Sequence, residues 1–172
     1  MDTAITGHTL SRGGATAPPS RFWKLRGLGL ANLLVTGGSR AERERVAREF
    51  HSASRLRRGP FVAASAAAAS WAETLLRSIS GGPARESADL LHQAEGGTLF
   101  IDDVDGLSPD LQRLMLEFLW RGRSESADDG RWAGRIVAGC GKDLDSLIAT
   151  GRFLAPLHDT LDKLRVDLAP QP

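Results

Sequence analysis

Glu95-Gly-Gly-Thr-Leu-Phe-Ile-Asp-Asp-Val-Asp-Gly-Leu-Ser-Pro-Asp-Leu-Gln-Arg-Leu-Met-Leu-Glu-Phe-Leu119 carries the strongest structural signal in this chain. Thr98 to Ile101 is a short apolar, β-prone run behind a glycine pair, and it delivers two adjacent carboxylates, Asp102 and Asp103, at its C-terminal end. After Val104 and Asp105, Gly106 turns the chain. Ser108 is placed to cap a helix with Pro109 at its first position, and Leu111, Leu114, Met115, Phe118 and Leu119 recur at helical spacing. A buried strand that ends in acids and feeds a helix is how open α/β sheets build ligand sites, in the crevice beyond their strand ends.

An acidic pair in this place has two readings. As a loop entry it is merely solvated. As a Walker B pair, one acid holds Mg²⁺ through water and the next polarises the water that attacks a phosphate. Upstream, Asn32-Leu-Leu-Val-Thr36 is an apolar run that stops at Gly37-Gly38, and Ser39 to His51 carries Val46, Ala47 and Phe50 on one face among charges. Strand, glycine turn and helix in succession make a phosphate-binding loop, whose backbone N–H groups and helix N-terminus hold the anion. A working loop of this kind reads GxxxxGK[ST].

The flanks of the acidic pair resemble one family. Gly96-Gly-Thr-Leu-Phe-Ile-Asp-Asp103 followed by Leu107-Ser-Pro-Asp-Leu-Gln112 is similar, nearly residue for residue, to the GGTLFLDE…LPxxLQ segment of the AAA+ domain in sigma-54-dependent transcriptional activators. Gly59-Pro-Phe-Val-Ala-Ala64 resembles the family's GPFVAVNC, Arg135-Ile-Val-Ala-Gly-Cys140 its RVIAATN, Lys142 to Ile148 its RDLxxLV, and Gly151-Arg-Phe153 its GRF. Over the family's loop, GESGTGKE, this chain reads Gly37-Gly-Ser-Arg-Ala-Glu-Arg-Glu44; Gly37, Ser39 and Glu44 match, as does the Val46-Ala-Arg-x-x-His51 tail. The resemblance spans about Leu33 to Leu168. It implies a vestigial nucleotide site made of Gly37, Ser39, Arg43, Glu44 and Asp102, with Asp102 the Mg²⁺ ligand if nucleotide binds and Asp103 the vestigial catalytic acid.

The departures from that pattern fall where phosphoryl chemistry is most demanding. Glu42 replaces the second loop glycine, putting a side chain and a negative charge where backbone should approach triphosphate. Arg43 replaces the loop lysine, and Arg40 a further glycine. Gly141 stands where the family has its sensor Asn, and Leu154 and Thr160 where it has the arginines that reach a neighbouring subunit's ATP. Asp103 replaces the usual Glu and holds its carboxylate one methylene shorter. The alternative for Arg40, Glu42, Arg43 and Arg45 is an exposed first helical turn with no ligand. No resident cofactor is expected on either account, and Mg-ATP would be held weakly or not at all.

Composition sets the class. The chain has 172 residues, 41% hydrophobic and 25% charged, with a net charge of +1, which suits one soluble globular domain with no strong pull on nucleic acid or membrane. Its one cysteine, Cys140, excludes an internal disulfide and reads as a small core hydrophobe in a cytoplasmic protein. No apolar run has bilayer-spanning length. Residues 1–20 read as a disordered leader and 21–170 as the domain. Arg55-Leu-Arg-Arg58 reads as a solvated turn, Ser65 to Ser80 as an Ala-rich helix, Gly81 to Glu86 and Arg121 to Gly130 as loops, Ala88 to Ala94 as a short helix, and His92 as a surface or cap residue.

The expected fold is a three-layer α/β sandwich of P-loop NTPase (AAA+) type, lacking the helical lid, with a mostly parallel five-stranded sheet and strands near residues 32–36, 60–64, 97–102, 135–140 and 164–168. Against the family pattern the chain has no helix-turn-helix segment and no GAFTGA loop, with too few residues between Ile79 and Leu90 to hold one. Neither DNA binding nor direct sigma-factor contact is therefore expected. Framework kept and catalytic parts replaced imply a pseudo-ATPase that binds other proteins, such as another activator or regulator. The alternative is a weak ATP-binding switch or low-activity ATPase in which Arg43, Asp102 and Asp103 still hold Mg-ATP.

Overall fold

The computed structural model describes residues 31–68, 71, 73, 90–121 and 132–168. The leader, the lead-in around Trp23, the loops at 81–86 and 122–130 and most of the Ala-rich helix lie outside them. Five strands form, β1 (Leu33–Thr36), β2 (Phe61–Ser65), β3 (Thr98–Asp102), β4 (Arg135–Cys140) and β5 (Arg165–Asp167), all within two residues of their expected places. They make one sheet in the order β2-β3-β4-β1-β5. Every pairing is parallel, so the sheet is wholly parallel among the described residues. Covered on both faces, the inner strands β3 and β4 are buried along their whole length, which is why they read as continuous apolar runs.

Among the described residues five α-helices cover the sheet: α1 (Arg40–Ser52), α2 (Leu90–Gln93), α3 (Pro109–Arg121), α4 (Leu144–Ala149) and α5 (Ala155–Leu161). Alternate strand residues divide between two cores. Leu33, Val35, Phe100 and Val137 pack under Val46, Ala47 and Phe50 of α1. Leu34, Leu99, Ile101, Ile136 and Ala138 pack with Met115, Leu116 and Leu119 of α3, Leu144 and Leu147 of α4, and Leu157 and Leu161 of α5. The result is helix, sheet and helix in three layers. Helix α3 starts where its cap predicts, with the Gln112 N–H donating to Ser108 O at 2.9 Å. One boundary is corrected: Ser65 ends β2, and 66–68 form a turn rather than the start of a helix, because Ser65 still pairs with Asp102 in the ladder. Helices α4 and α5 occupy a stretch that the residues alone left unassigned.

Two buried polar networks hold these layers in register. The Gln112 amide donates to Leu107 O and to Arg152 O, both at 3.0 Å, and its Oε1 accepts from the Leu154 N–H at 2.8 Å. One side chain thereby joins the start of α3 to the turn between α4 and α5. Arg135, 1% exposed, lies over the Phe50 ring at 3.9 Å and donates to Thr98 Oγ1, Phe50 O and Ser54 Oγ. With no carboxylate among these partners, burial lowers its pKa to about 10. Thr98 Oγ1 also meets His51 Nδ1 at 3.0 Å. Burial, and then the charge of Arg135, hold His51 below its ordinary value of 6.5.

Each network yields an expected outcome. Gln112→Ala leaves one buried and two part-buried backbone groups without their partner and should cost about 2 kcal/mol in urea unfolding. For His51 the folded pKa is depressed, so the unfolded chain takes up a proton that the folded chain resists. Its contribution is complete above pH 6.5 and is lost as pH falls toward the folded pKa. Stability should therefore drop between pH 7.5 and 5.5, and less steeply in His51→Gln; equal slopes in the two proteins would remove His51 as the cause.

Candidate functional site

The carboxyl ends of β1, β3 and β4 lie side by side, and the chain turns at each. After Thr36, Gly37 and Gly38 take φ of 72° and 57°, and Ser39 caps α1. Asp103 follows β3 with φ of 59°, the left-handed region that short polar side chains tolerate best after glycine. Gly141 follows β4, and its N–H donates to Asp105 Oδ1 at 3.4 Å.

At this junction Arg43 and Asp102 form a buried pair, 5% and 0% exposed respectively. Arg43 Nε donates to Asp102 Oδ1 at 2.7 Å and Nη2 to Oδ2 at 2.9 Å, a two-pronged match of guanidinium to carboxylate. The remaining nitrogen, Nη1, donates to the carbonyls of Gly37 at 3.1 Å and Gly38 at 2.8 Å. The bonds to Asp102 raise the Arg43 pKa against the opposing effect of burial. Asp103 Oδ1 lies 3.6 Å from Arg43 Nη2, and its other oxygen accepts from Ser65 Oγ at 3.1 Å. The half-exposed Arg40 reaches to 4.0 Å from Asp102.

Immediately before Arg43, Glu42 closes a capping box with Ser39. Its Oε2 accepts from the Ser39 N–H and from Ser39 Oγ, both at 2.8 Å, while the Glu42 N–H donates back to Ser39 Oγ at 3.3 Å. These bonds hold the carboxyl below its usual range. A carboxylate of the chain itself thus sits on the helix N-terminus that a phosphate-binding loop offers to its ligand.

Two glycines of β4 and its exit border this cluster, and Gly139 makes room for it. A Cβ built on Gly139 would stand 2.1 Å from Asp102 Oδ1, and one on Gly141 would stand 3.5 Å from Arg43 Nη1. The carboxylate occupies space that any other residue at 139 would fill.

The structure brings Gly37, Arg43, Asp102 and Asp103 together, with Ser39 at the N-cap of the helix that carries Arg43. Two expectations need correction. Arg43 is not part of an exposed turn, because Asp102 draws its guanidinium inward. Glu44 does not join the cluster, because Arg48 on the next turn of α1 engages it at 2.6 Å. Arg40 and Arg45 are exposed, as expected. Of the two residues at arginine positions, Leu154 packs against the larger core and Thr160 is buried, its Oγ1 donating to Pro156 O at 2.8 Å. Cys140 is a buried thiol pushed up to about 12 by burial, which makes it an inert packing group. His92 is exposed, and no group of side chains that could hold a metal ion occurs among the described residues. Gly139 and the capping role of Glu42 were missed. A glycine inside a buried strand, where the RVIAATN pattern has alanine, was the available signal.

Mg-ATP does not fit this arrangement. Both oxygens of the carboxylate that would face the metal are taken by one guanidinium. The loop turns two carbonyls toward that cation, and Glu42 lies on the amide a phosphate would use.

A wholly parallel sheet in this order, with a glycine turn and helix after β1, defines the class as the AAA+ type of P-loop NTPase fold. The chain belongs to the sigma-54 interaction domain family, whose model matches residues 28–167. It is 33% identical over 151 residues to the acetoin catabolism regulatory protein of Cupriavidus necator, covering 81% of this chain and 22% of that protein. It is 32% identical over 146 residues to the nitrogen assimilation regulatory protein NtrX of Azorhizobium caulinodans, covering 81% of this chain and 32% of that one. It thus spans about a third or less of such relatives. Among solved structures, NtrX from Brucella abortus in complex with ATP superposes with a TM-score of 0.69 at 26% identity, over 87% of this chain and 34% of that one.

The buried pair sets its own test. Asp102→Ala leaves a buried guanidinium uncompensated and should cost about 3–5 kcal/mol. Replacing both partners, Arg43→Met with Asp102→Ala, should cost much less than that single change. Urea unfolding of the two variants measures the difference; equal losses would mean that a stranded guanidinium is not what the single change costs.

Proposed function

We propose that this chain is an AAA+ α/β domain that has lost ATP hydrolysis and acts as a protein-interaction module in bacterial transcription regulation. One observation carries the reading: the cation and the carboxylate that would hold Mg-ATP are spent on each other, at 2.7 and 2.9 Å. Replacement of the family's arginines by Leu154 and Thr160 adds to it, since an arginine finger contributes about 10³- to 10⁵-fold in rate in related hydrolases. The framework residues of the family are retained through both cores, so the fold that would present a contact surface is kept. Its partner on this reading is another protein carrying the same kind of domain, an activator or regulator whose ring this chain would join or cap.

A second reading, a weak nucleotide-dependent switch, draws on the positive charge that Arg43 keeps at the lysine position beside Asp102. Isothermal titration with Mg-ATP and a steady-state hydrolysis assay divide the two. No binding at submillimolar concentration and no turnover are the expected results. Submillimolar binding that disappears in Asp102→Asn would replace the proposal with the switch. Affinity capture from the native host should co-purify a sigma-54-dependent regulator; recovery of no transcription regulator would count against the module.

A further inference from the structure

Gly139 lies inside β4, a strand buried along its whole length, where glycine weakens a sheet by leaving nothing to pack. Its missing side chain is not replaced by a void. Asp102 Oδ1 stands 2.1 Å from where a Cβ would be, with Phe100 Cε2 at 3.1 Å. That same oxygen accepts from Arg43 Nε at 2.7 Å. A methyl group at 139 and this placement of the carboxylate cannot coexist. Asp102 would have to swing away, and with both its oxygens held by one rigid guanidinium, swinging breaks both bonds. A Cβ at Gly141 would make only ordinary van der Waals contact with the guanidinium, 3.5 Å from Nη1, so the constraint rests on position 139.

We propose that Gly139 is the positioning residue that turns this site inward. By leaving out one methyl group it seats the Asp102 carboxylate inside the sheet, where Arg43 serves as a tethered cation and holds the loop carbonyls of Gly37 and Gly38. The domain is thereby fixed in a single state that no nucleotide sets. This rests on the reading of the chain as a domain that has lost ATP turnover, and it adds which residue enforces that loss. The loop substitutions at 42 and 43 remove features of a nucleotide site, whereas Gly139 supplies the room in which the replacement closes.

The test is a cycle of thermal unfolding with a metal readout. Gly139→Ala alone should lower the unfolding midpoint by about 8 °C or more, the scale of breaking a buried pair in a domain of this size. In the Arg43→Met/Asp102→Ala background, with no carboxylate to displace, the same change should move the midpoint by no more than about 2 °C. Equal shifts in the two backgrounds would overturn the proposal, because the cost would then belong to Phe100 and the strand.

The second arm uses the loop-restored protein, Glu42→Gly/Arg43→Lys, titrated with ATP in Mg²⁺ and in EDTA. With Gly139 kept, Mg²⁺ should change the affinity little; with Gly139→Ala added, Mg²⁺ should tighten binding by about tenfold or more, the effect expected of a freed carboxylate. Identical dependence on Mg²⁺ in the two proteins would overturn it. Should neither loop-restored protein bind ATP, the unfolding cycle decides. Mg-ATP binding by the unaltered protein would overturn the loss of nucleotide use itself, an outcome separate from either comparison.

Discussion

A guanidinium and a carboxylate taken out of water must find each other, and Arg43 and Asp102 do so at the point where three strands end. Neither ion could be left there alone. Desolvating a single charge costs several kcal/mol even after relaxation, so each makes the other's position obligatory. Both prongs of the guanidinium lie on Asp102 and its third nitrogen on two carbonyls, so the cation spends its donors inside the protein. The loop, the end of β3 and the exit of β4 are consequently one unit.

That unit replaces, group for group, what a phosphate-binding loop provides. An N-terminal helix end normally offers free N–H groups to an anion; here the Glu42 carboxylate lies on the Ser39 N–H. A carboxylate at a strand end normally faces solvent, where a hydrated cation reaches it; here Asp102 leans into the vacancy beside Gly139. At two of the departures from the family pattern the residue present supplies an internal partner, Glu42 to Ser39 and Arg43 to Asp102.

The frame around the site is held by separate means. Gln112 joins the start of α3 to the turn after α4, and Arg135 joins β4 to β3 and α1 through Thr98, Phe50 and Ser54. Both are polar side chains in positions of almost no exposure, and both bond to backbone groups of neighbouring elements. This accounts for how family signatures far apart in the chain, the LQ of one and the GRF of another, are physically a single contact. Retention of these contacts keeps the sheet and its helices intact while the chemistry at its edge changes.

The succession of elements was legible in the residues alone. Apolar runs ending in Gly37-Gly38 and in Asp102-Asp103 announce strands with turns at their tips, and the Ser108-Pro109 start announces a helix, because backbone preference and side-chain period are local properties. The identities of the residues near the site, and their departure from a working loop, were equally plain. What the linear order could not decide was where the charge of Arg43 goes. An arginine in a first helical turn is ordinarily solvated, and it is buried here only because β3 brings a carboxylate from 59 positions away to meet it. The seat for that carboxylate comes in turn from Gly139 on a third strand. Burial and pairing are properties of neighbours in space, so the choice between an open ligand site and a closed internal ion pair was made by the tertiary structure.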